Sequence, residues 1–190
     1  IGIILANYPN KDGRLANGVG LDTPASTINL MKFLFKNGYS VSRIPKSSSD
    51  LMDKIMSGPT NWLTDRHEKQ GGVRFPLQKY KEVFKTLPFE VRQLIEERWG
   101  EPESDPFIDE DGFALSVIGF GNIVIGIQPA RGYNIDPKDT YHSPDLVPPH
   151  NYLAFYFWLR NEFKCDALIH MGKHGNLEWL PGKALALSEN

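Results

Sequence analysis

The sequence predicts an α/β domain built on a mostly parallel sheet flanked by helices. Two observations carry that expectation. The chain opens on a continuous apolar run, Ile1-Gly-Ile-Ile-Leu-Ala6, of the kind found in strands buried on both faces. Helical and strand-like segments then alternate at both ends of the chain, as crossover connections between parallel strands require. Such an architecture is Rossmann- or flavodoxin-like. It is expected here as one domain over 1–190, with an inserted element over 62–112 whose helical part covers 77–112.

Each element has a local reason. After the opening strand comes a polar, Gly-rich stretch from Asn7 to Asp22. Thr23-Pro24 starts a helix, with Thr as N-cap and Pro in the first helical position. Ile28, Leu30, Met31, Leu34 and Phe35 recur at helical spacing, and Gly38 ends the run. Val41-Ser-Arg-Ile44 reads as a short strand. Ser47 to Asp50 caps a helix over Leu51 to Met56, closed by Gly58-Pro59. Residues 77–100 read as amphipathic helix broken near Pro88, and 101–112 as an acidic, Pro-containing loop. Phe113 to Ile118 and Ile123 to Ile127 are β-rich runs around Gly119-Phe-Gly-Asn122, which predicts a hairpin. A helix over 151–164 and a strand over Ala167 to Met171 complete the pattern.

The bulk numbers narrow the function. With 190 residues, 41% hydrophobic and 23% charged, the chain can bury a sizeable core. Its net charge of −2 supplies no basic footprint for nucleic acid. The single cysteine, Cys165, cannot form an internal disulfide and suits a reducing, cytoplasmic setting. No apolar run reaches the ~18–20 residues that span a bilayer. The chain starts on Ile1 and stops at Asn190 in mid-pattern, so it reads as a piece of a longer protein.

In open α/β sheets, ligands bind beyond the carboxyl ends of the strands. Three polar connections follow strands here: Asn7 to Asp22, Gln128 to His150, and Gly172 onward. If their strands are parallel, all three meet at one edge. The first holds Arg14 and Asp22 among glycines. The second holds Arg131, Tyr133, His142, Asp145 and His150; His142 and Asp145 can share a metal or a proton. The third holds His170, His174 and Glu178, four residues apart, where imidazole and carboxylate together suit divalent metals and proton transfer. His170 ends an apolar strand, which leaves His174 and Glu178 as the pair of interest. Gly182-Lys183-Ala184 is not a phosphate loop, because Ala replaces Ser/Thr and no upstream Gly fits. The chain therefore has no recognisable ATP site.

Several runs resemble the large subunit of the chelatase family that includes aerobic cobaltochelatases and magnesium chelatases. They are Asn7-Tyr-Pro-Asn-Lys-Asp-Gly-Arg14, Asn17-Gly-Val-Gly-Leu-Asp-Thr-Pro-Ala-Ser26, Gly58-Pro-Thr-Asn61 and Gln128-Pro-Ala-Arg-Gly132. Tyr141-His-Ser-Pro-Asp-Leu-Val-Pro-Pro-His150, Tyr152-Leu-Ala-Phe-Tyr-Phe-Trp-Leu-Arg160 and His174-Gly-Asn-Leu-Glu-Trp-Leu-Pro-Gly-Lys-Ala-Leu-Ala-Leu-Ser188 complete them. Lys173 before the histidine, Trp179-Leu180 after Glu178 and the Tyr141 to Leu146 pattern place the resemblance on the cobalt branch.

The resemblance implies a subunit that binds a tetrapyrrole and a metal while AAA+ ATPase partner subunits hydrolyse ATP. Co2+ would be the substrate metal, with Mg2+ the alternative. It implies Glu178 and His174 as catalytic and metal-handling residues, with His142 and Asp145 as further metal candidates. Arg14, Asp22, Arg131, Tyr133, Trp179 and Lys183 would contact the ring. Two other readings stay open: a tetrapyrrole carrier or sensor without chelation, and a flavodoxin-like phosphate binder using the Gly18 to Ser26 run.

Overall fold

The computed structural model describes residues 1–7, 15–16, 18, 20–61, 69, 71–132, 143, 145–172 and 180–183. In chain order its elements are β1 (Gly2–Leu5), α1 (Thr23–Lys36), α2 (Ser48–Met56), β2 (Val73–Pro76), α3 (Leu77–Phe84), α4 (Phe89–Trp99), β3 (Ile108–Asp109), β4 (Gly112–Leu115), β5 (Val117–Gly119), β6 (Val124–Ile127), α5 (His150–Phe157) and β7 (Leu168–Met171). The chain divides into two compact units. The first comprises Ile1–Val73, Ser116–Gln128 and Lys164–Gly175; the second comprises Arg74–Leu115, Pro129–Phe163 and Asn176–Asn190.

The first unit carries a four-stranded sheet in the order β5-β6-β1-β7. β1 runs parallel to both β6 and β7, and only β5 is antiparallel. The expected α/β class with a mostly parallel sheet is borne out. β1 is central, which explains its unbroken apolar sequence: all four of its residues are buried. Ile3 and Leu5 pack with Ile125 and Ile127 against Ile28, Met31 and Leu34 of α1 and Leu51 and Ile55 of α2. Each such side chain contributes roughly 1.5–3 kcal/mol through burial.

α1 begins one residue earlier than its sequence suggests. Asp22 is the N-cap, its Oδ1 accepting from the Ala25 N–H at 3.0 Å. A carboxylate caps at least as well as a hydroxyl, and the Thr23 side chain is buried instead. Gly38 follows the helix with φ +87°, as expected of a closing glycine. α2 is capped by Ser47, whose Oγ accepts from Asp50 N–H, while Asp50 Oδ2 accepts from Lys46 N–H.

Three expectations change. Val41–Ile44 is not a strand: Val41 makes one isolated bridge to Gly121, and Arg43 turns to φ +51° ahead of Pro45. The run from Phe113 to Ile118 breaks at Ser116, so that β4 and β5 lie in different sheets. Only β5 forms the expected hairpin with β6. The helix expected over 151–164 is regular only to Phe157 and finishes as a π-helical turn over Trp158–Glu162.

The second unit holds α3, α4, α5 and a three-stranded sheet in the order β2-β4-β3. The break at Pro88 falls between α3 and α4, as the sequence predicts. Gly112 is required in β4: a Cβ there would sit 2.5 Å from the carbonyl oxygen of Phe75 on β2. Tyr80 centres an aromatic cluster, 4.7 Å from the Phe113 ring, 5.6 Å from Phe84 and 5.7 Å from Phe157.

Candidate functional site

Leu5 is level with Ile127 on one side and with Met171 on the other. The carboxyl ends of β1, β6 and β7 are therefore in register, and the three polar connections leave from one edge of the first unit. Backbone hydrogen bonds extend this alignment by one residue. Ala6 N–H donates to Met171 O at 3.0 Å, and Gln128 N–H donates to Leu5 O at 3.0 Å.

Small residues bring the first and third connections together. A Cβ added at Gly18 would lie 2.7 Å from Thr23 Oγ1 and 3.2 Å from the Gly172 Cα. One added at Gly172 would lie 2.9 Å from Ala6 Cβ and 3.6 Å from Thr23 Oγ1, and Gly172 has φ +128°. The first connection also folds back on itself: Ala16 N–H donates to Ala6 O at 3.0 Å, with Ala16 at φ +56°. Left-handed backbone at a non-glycine residue costs about 1–3 kcal/mol and collects at functional sites.

Polar side chains are buried at this edge. Asn7, Thr23, Thr60, Asn61 and Gln128 are all at most 6% exposed. Asn61 Nδ2 donates to Gln128 O at 2.7 Å. Asn7 and Thr23 have no such partner among the described residues: both carboxamide atoms of Asn7 and the Thr23 hydroxyl are unpaired. All five are uncharged. Site reasoning from the sequence passed over them because none is a titratable or metal-ligating type, although each lies in or beside a motif that carries the family resemblance.

Asp22 is exposed, and its carboxylate caps α1. His170 lies on β7, level with Ile4. Arg14, Tyr133, His142, His174, Glu178 and Trp179 lie outside the described residues. Among those described, no group of three or more His, Cys, Asp or Glu side chains is placed to hold a metal ion.

The other sequence candidates belong to the second unit. Arg131 is 1% exposed, and one of its terminal nitrogens donates to the carbonyls of Ser143 and Leu146, each at 3.0 Å. Its guanidinium clasps backbone where the sequence suggested a ring carboxylate. Asp145 is exposed and lines a shallow groove with Leu94, Glu97 and Arg98. Lys183 donates its backbone N–H to Leu180 O. His150 is fully buried: its Nδ1 lies 2.7 Å from Tyr80 Oη and its Nε2 lies 2.9 Å from Gly100 O. The carbonyl can only accept, so Nε2 carries the proton and Nδ1 accepts from the phenol. Burial holds the imidazole below the usual histidine range, and burial raises the Tyr80 hydroxyl above its ordinary value. Asp105 caps α5 from outside the helix, accepting from Asn151 N–H at 2.8 Å.

The whole chain, residues 1–190, matches the CobN/Magnesium Chelatase family model. The chain belongs to that family. It is 55% identical over 189 residues to the aerobic cobaltochelatase subunit CobN of Sinorhizobium sp, a match covering 100% of this chain and 15% of that protein. It is 32% identical over 192 residues to a magnesium-chelatase subunit of Rhodobacter capsulatus, covering 100% of this chain and 15% of that protein. Among solved structures, the catalytic subunit of cobaltochelatase from Mycobacterium tuberculosis superposes with a TM-score of 0.80 at 35% identity, over 98% of this chain and 16% of that one. The chain thus spans about 15% of the length of these curated relatives. The resemblance read from the sequence is borne out, and the higher identity lies with the cobalt branch.

Proposed function

We propose that this chain is part of the large, ring-binding subunit of an ATP-dependent metal chelatase, a ligase that forms nitrogen–metal bonds. On this reading the subunit inserts Co2+ into a corrinoid precursor, hydrogenobyrinic acid a,c-diamide, in cobalamin biosynthesis. AAA+ partner subunits hydrolyse the ATP, and the 190-residue stretch alone is inactive. The observation that supports it most is the in-register carboxyl edge of β1, β6 and β7, from which all three family motifs rich in polar residues depart.

Metal insertion has three physical barriers. Two ring N–H protons must leave, the ion must shed water, and the macrocycle must distort. Glu178 is proposed as proton acceptor and metal-delivering carboxylate, with His174 as its neighbour in metal capture. Both follow β7 within a few residues in sequence. His142 and Asp145 are further metal candidates. Arg14, Asp22, Tyr133, Trp179 and Lys183 are proposed to contact the ring, and Arg131 to order the second connection beside it. ATP hydrolysis elsewhere would drive a conformational step that closes the site. In the full-length subunit with its ATPase partners, Glu178→Ala is expected to abolish metal insertion while sparing ring binding. Equal insertion rates in variant and wild type would remove Glu178 from the mechanism.

A further inference from the structure

We propose that the free edge of β5 and the groove beside it take an acidic peptide segment in extended form, added to the sheet as a further strand. The surface belongs wholly to the first unit and uses none of the residues assigned above to ring or metal, so it does not depend on the chelatase reading.

β5 is an outer strand of the order β5-β6-β1-β7. Ile127 N–H donates to Ser116 O at 2.9 Å, Phe120 N–H donates to Ile123 O at 2.7 Å, and Ile118 is level with Ile125. Along an antiparallel strand, successive residues alternate between bonding to the partner and pointing away from it. Val117 and Gly119 therefore turn their backbone N–H and C=O groups away from β6, and no described residue bonds to them. The chain starts to cover this edge and then leaves it. Ser42 N–H donates to Phe120 O at 3.1 Å, and Val41 is bridged to Gly121. Arg43, the next residue, turns to φ +51°. Left-handed backbone is unfavourable at a non-glycine residue and collects at functional sites. The Arg43 side chain is exposed and pairs with no carboxylate among the described residues, so its own packing does not explain the turn.

A groove of about 390 Å³ runs beside this edge. Val117, Ile118 and Phe120 give it an apolar side, Arg43 and Lys54 give it cations, and none of its lining residues is acidic. Lys54 is bonded to Asp50 of its own helix, which leaves Arg43 as the uncompensated charge. Gly71 and Gly72 form part of the wall, close against Gly58, where an added Cβ would lie 3.4 Å from Gly72 N. That stretch of wall carries no side chain to fill the space beside β5. Free backbone groups on a sheet edge bind an extended peptide through main-chain hydrogen bonds, while neighbouring pockets select its alternate side chains. Here the selecting group is a guanidinium, whose planar fork matches a carboxylate. The segment that fits carries Glu or Asp beside Arg43 and apolar residues in alternation.

The test uses the full-length subunit and a fluorescein-labelled peptide of alternating Glu and Val, read by anisotropy. The wild type is expected to bind it about tenfold or more tighter than the Lys/Val counterpart. Two further peptides are methylated on alternate backbone nitrogens, in opposite phase. One should lose about tenfold in affinity and the other keep it, because only every second N–H faces the edge. Arg43→Asn should weaken binding about tenfold while keeping or raising the unfolding temperature, since Asn adopts left-handed backbone more readily. Arg43→Lys should restore part of the loss, and Lys32→Gln, at an exposed cation of α1, should change nothing. No binding by the wild type up to about 1 mM peptide would make Arg43 and Lys54 guards of the edge and overturn the proposal. Unchanged binding in Arg43→Asn would overturn the groove as the site. Equal binding of both methylated peptides would reduce the contact to capture of an anion and overturn strand addition.

Discussion

Gly172→Ala perturbs the candidate edge at its tightest point. Two penalties add at this position. The residue has φ +128°, a conformation that an L side chain adopts at a cost of about 1–3 kcal/mol. The added methyl would also lie 2.9 Å from Ala6 Cβ, against the 3.5–4.0 Å at which carbon atoms pack well. Ala6 Cβ is fixed to the backbone next to the central strand and cannot rotate away, so the strand or the turn must move. Overpacking of this kind costs about 1–3 kcal/mol. The sum is about 2–6 kcal/mol. With a urea slope of about 1–3 kcal/mol per molar, the unfolding midpoint should drop by roughly 1 M or more. Gly119→Ala is the control, because Gly119 does not take up positive φ and has nothing within 4 Å of an added Cβ. Its stability should stay within about 0.5 kcal/mol of wild type. If Gly172→Ala also stays within that margin, the close approach of β1 and the third connection does not constrain the fold.

Two further perturbations probe the second unit. His150 is held below the usual histidine range by burial, partly countered by the Gly100 carbonyl and by Asp105, Glu96 and Glu101. The unfolded chain takes up a proton as pH falls below about 6.5 while the folded chain resists it, so stability should fall with pH in that window, by at most about 1.4 kcal/mol per unit. His150→Gln should flatten the difference in urea midpoint between pH 7.5 and pH 5.5; an unchanged slope would assign the acid sensitivity elsewhere. Arg131→Met keeps the packing of the stem but deletes the bonds to Ser143 and Leu146, and should lower stability by about 2–5 kcal/mol by urea denaturation. Wild-type stability in that variant would mean the clasp contributes nothing.

Much of this was legible because it is periodic. The buried β1 shows as an unbroken apolar run, α2 as a capping serine before an amphipathic turn, and the sheet's parallel class as the alternation of helix and strand. The convergence of three connections followed from that class. What periodicity cannot show is where tertiary contacts override local pattern. Phe113 to Ile118 reads as one strand, yet Ser116 divides it between two sheets because β4 answers Gly112 against Phe75 while β5 answers β6. Arg131 reads as a free cation in a polar loop, but the fold buries it on carbonyls that lie 12 and 15 residues away. Asn7 and Thr23 are common residues in sequence. They become informative only through what they lack in three dimensions.

The contacts at Gly172 also bear on how the edge works as a unit. The residues proposed to handle metal and protons, His174 and Glu178, follow Gly172 by two and six positions in sequence. Gly172 is packed against Ala6 and Thr23, and Asn7 follows Ala6 directly. A change at Gly172 therefore acts on the first and third connections together.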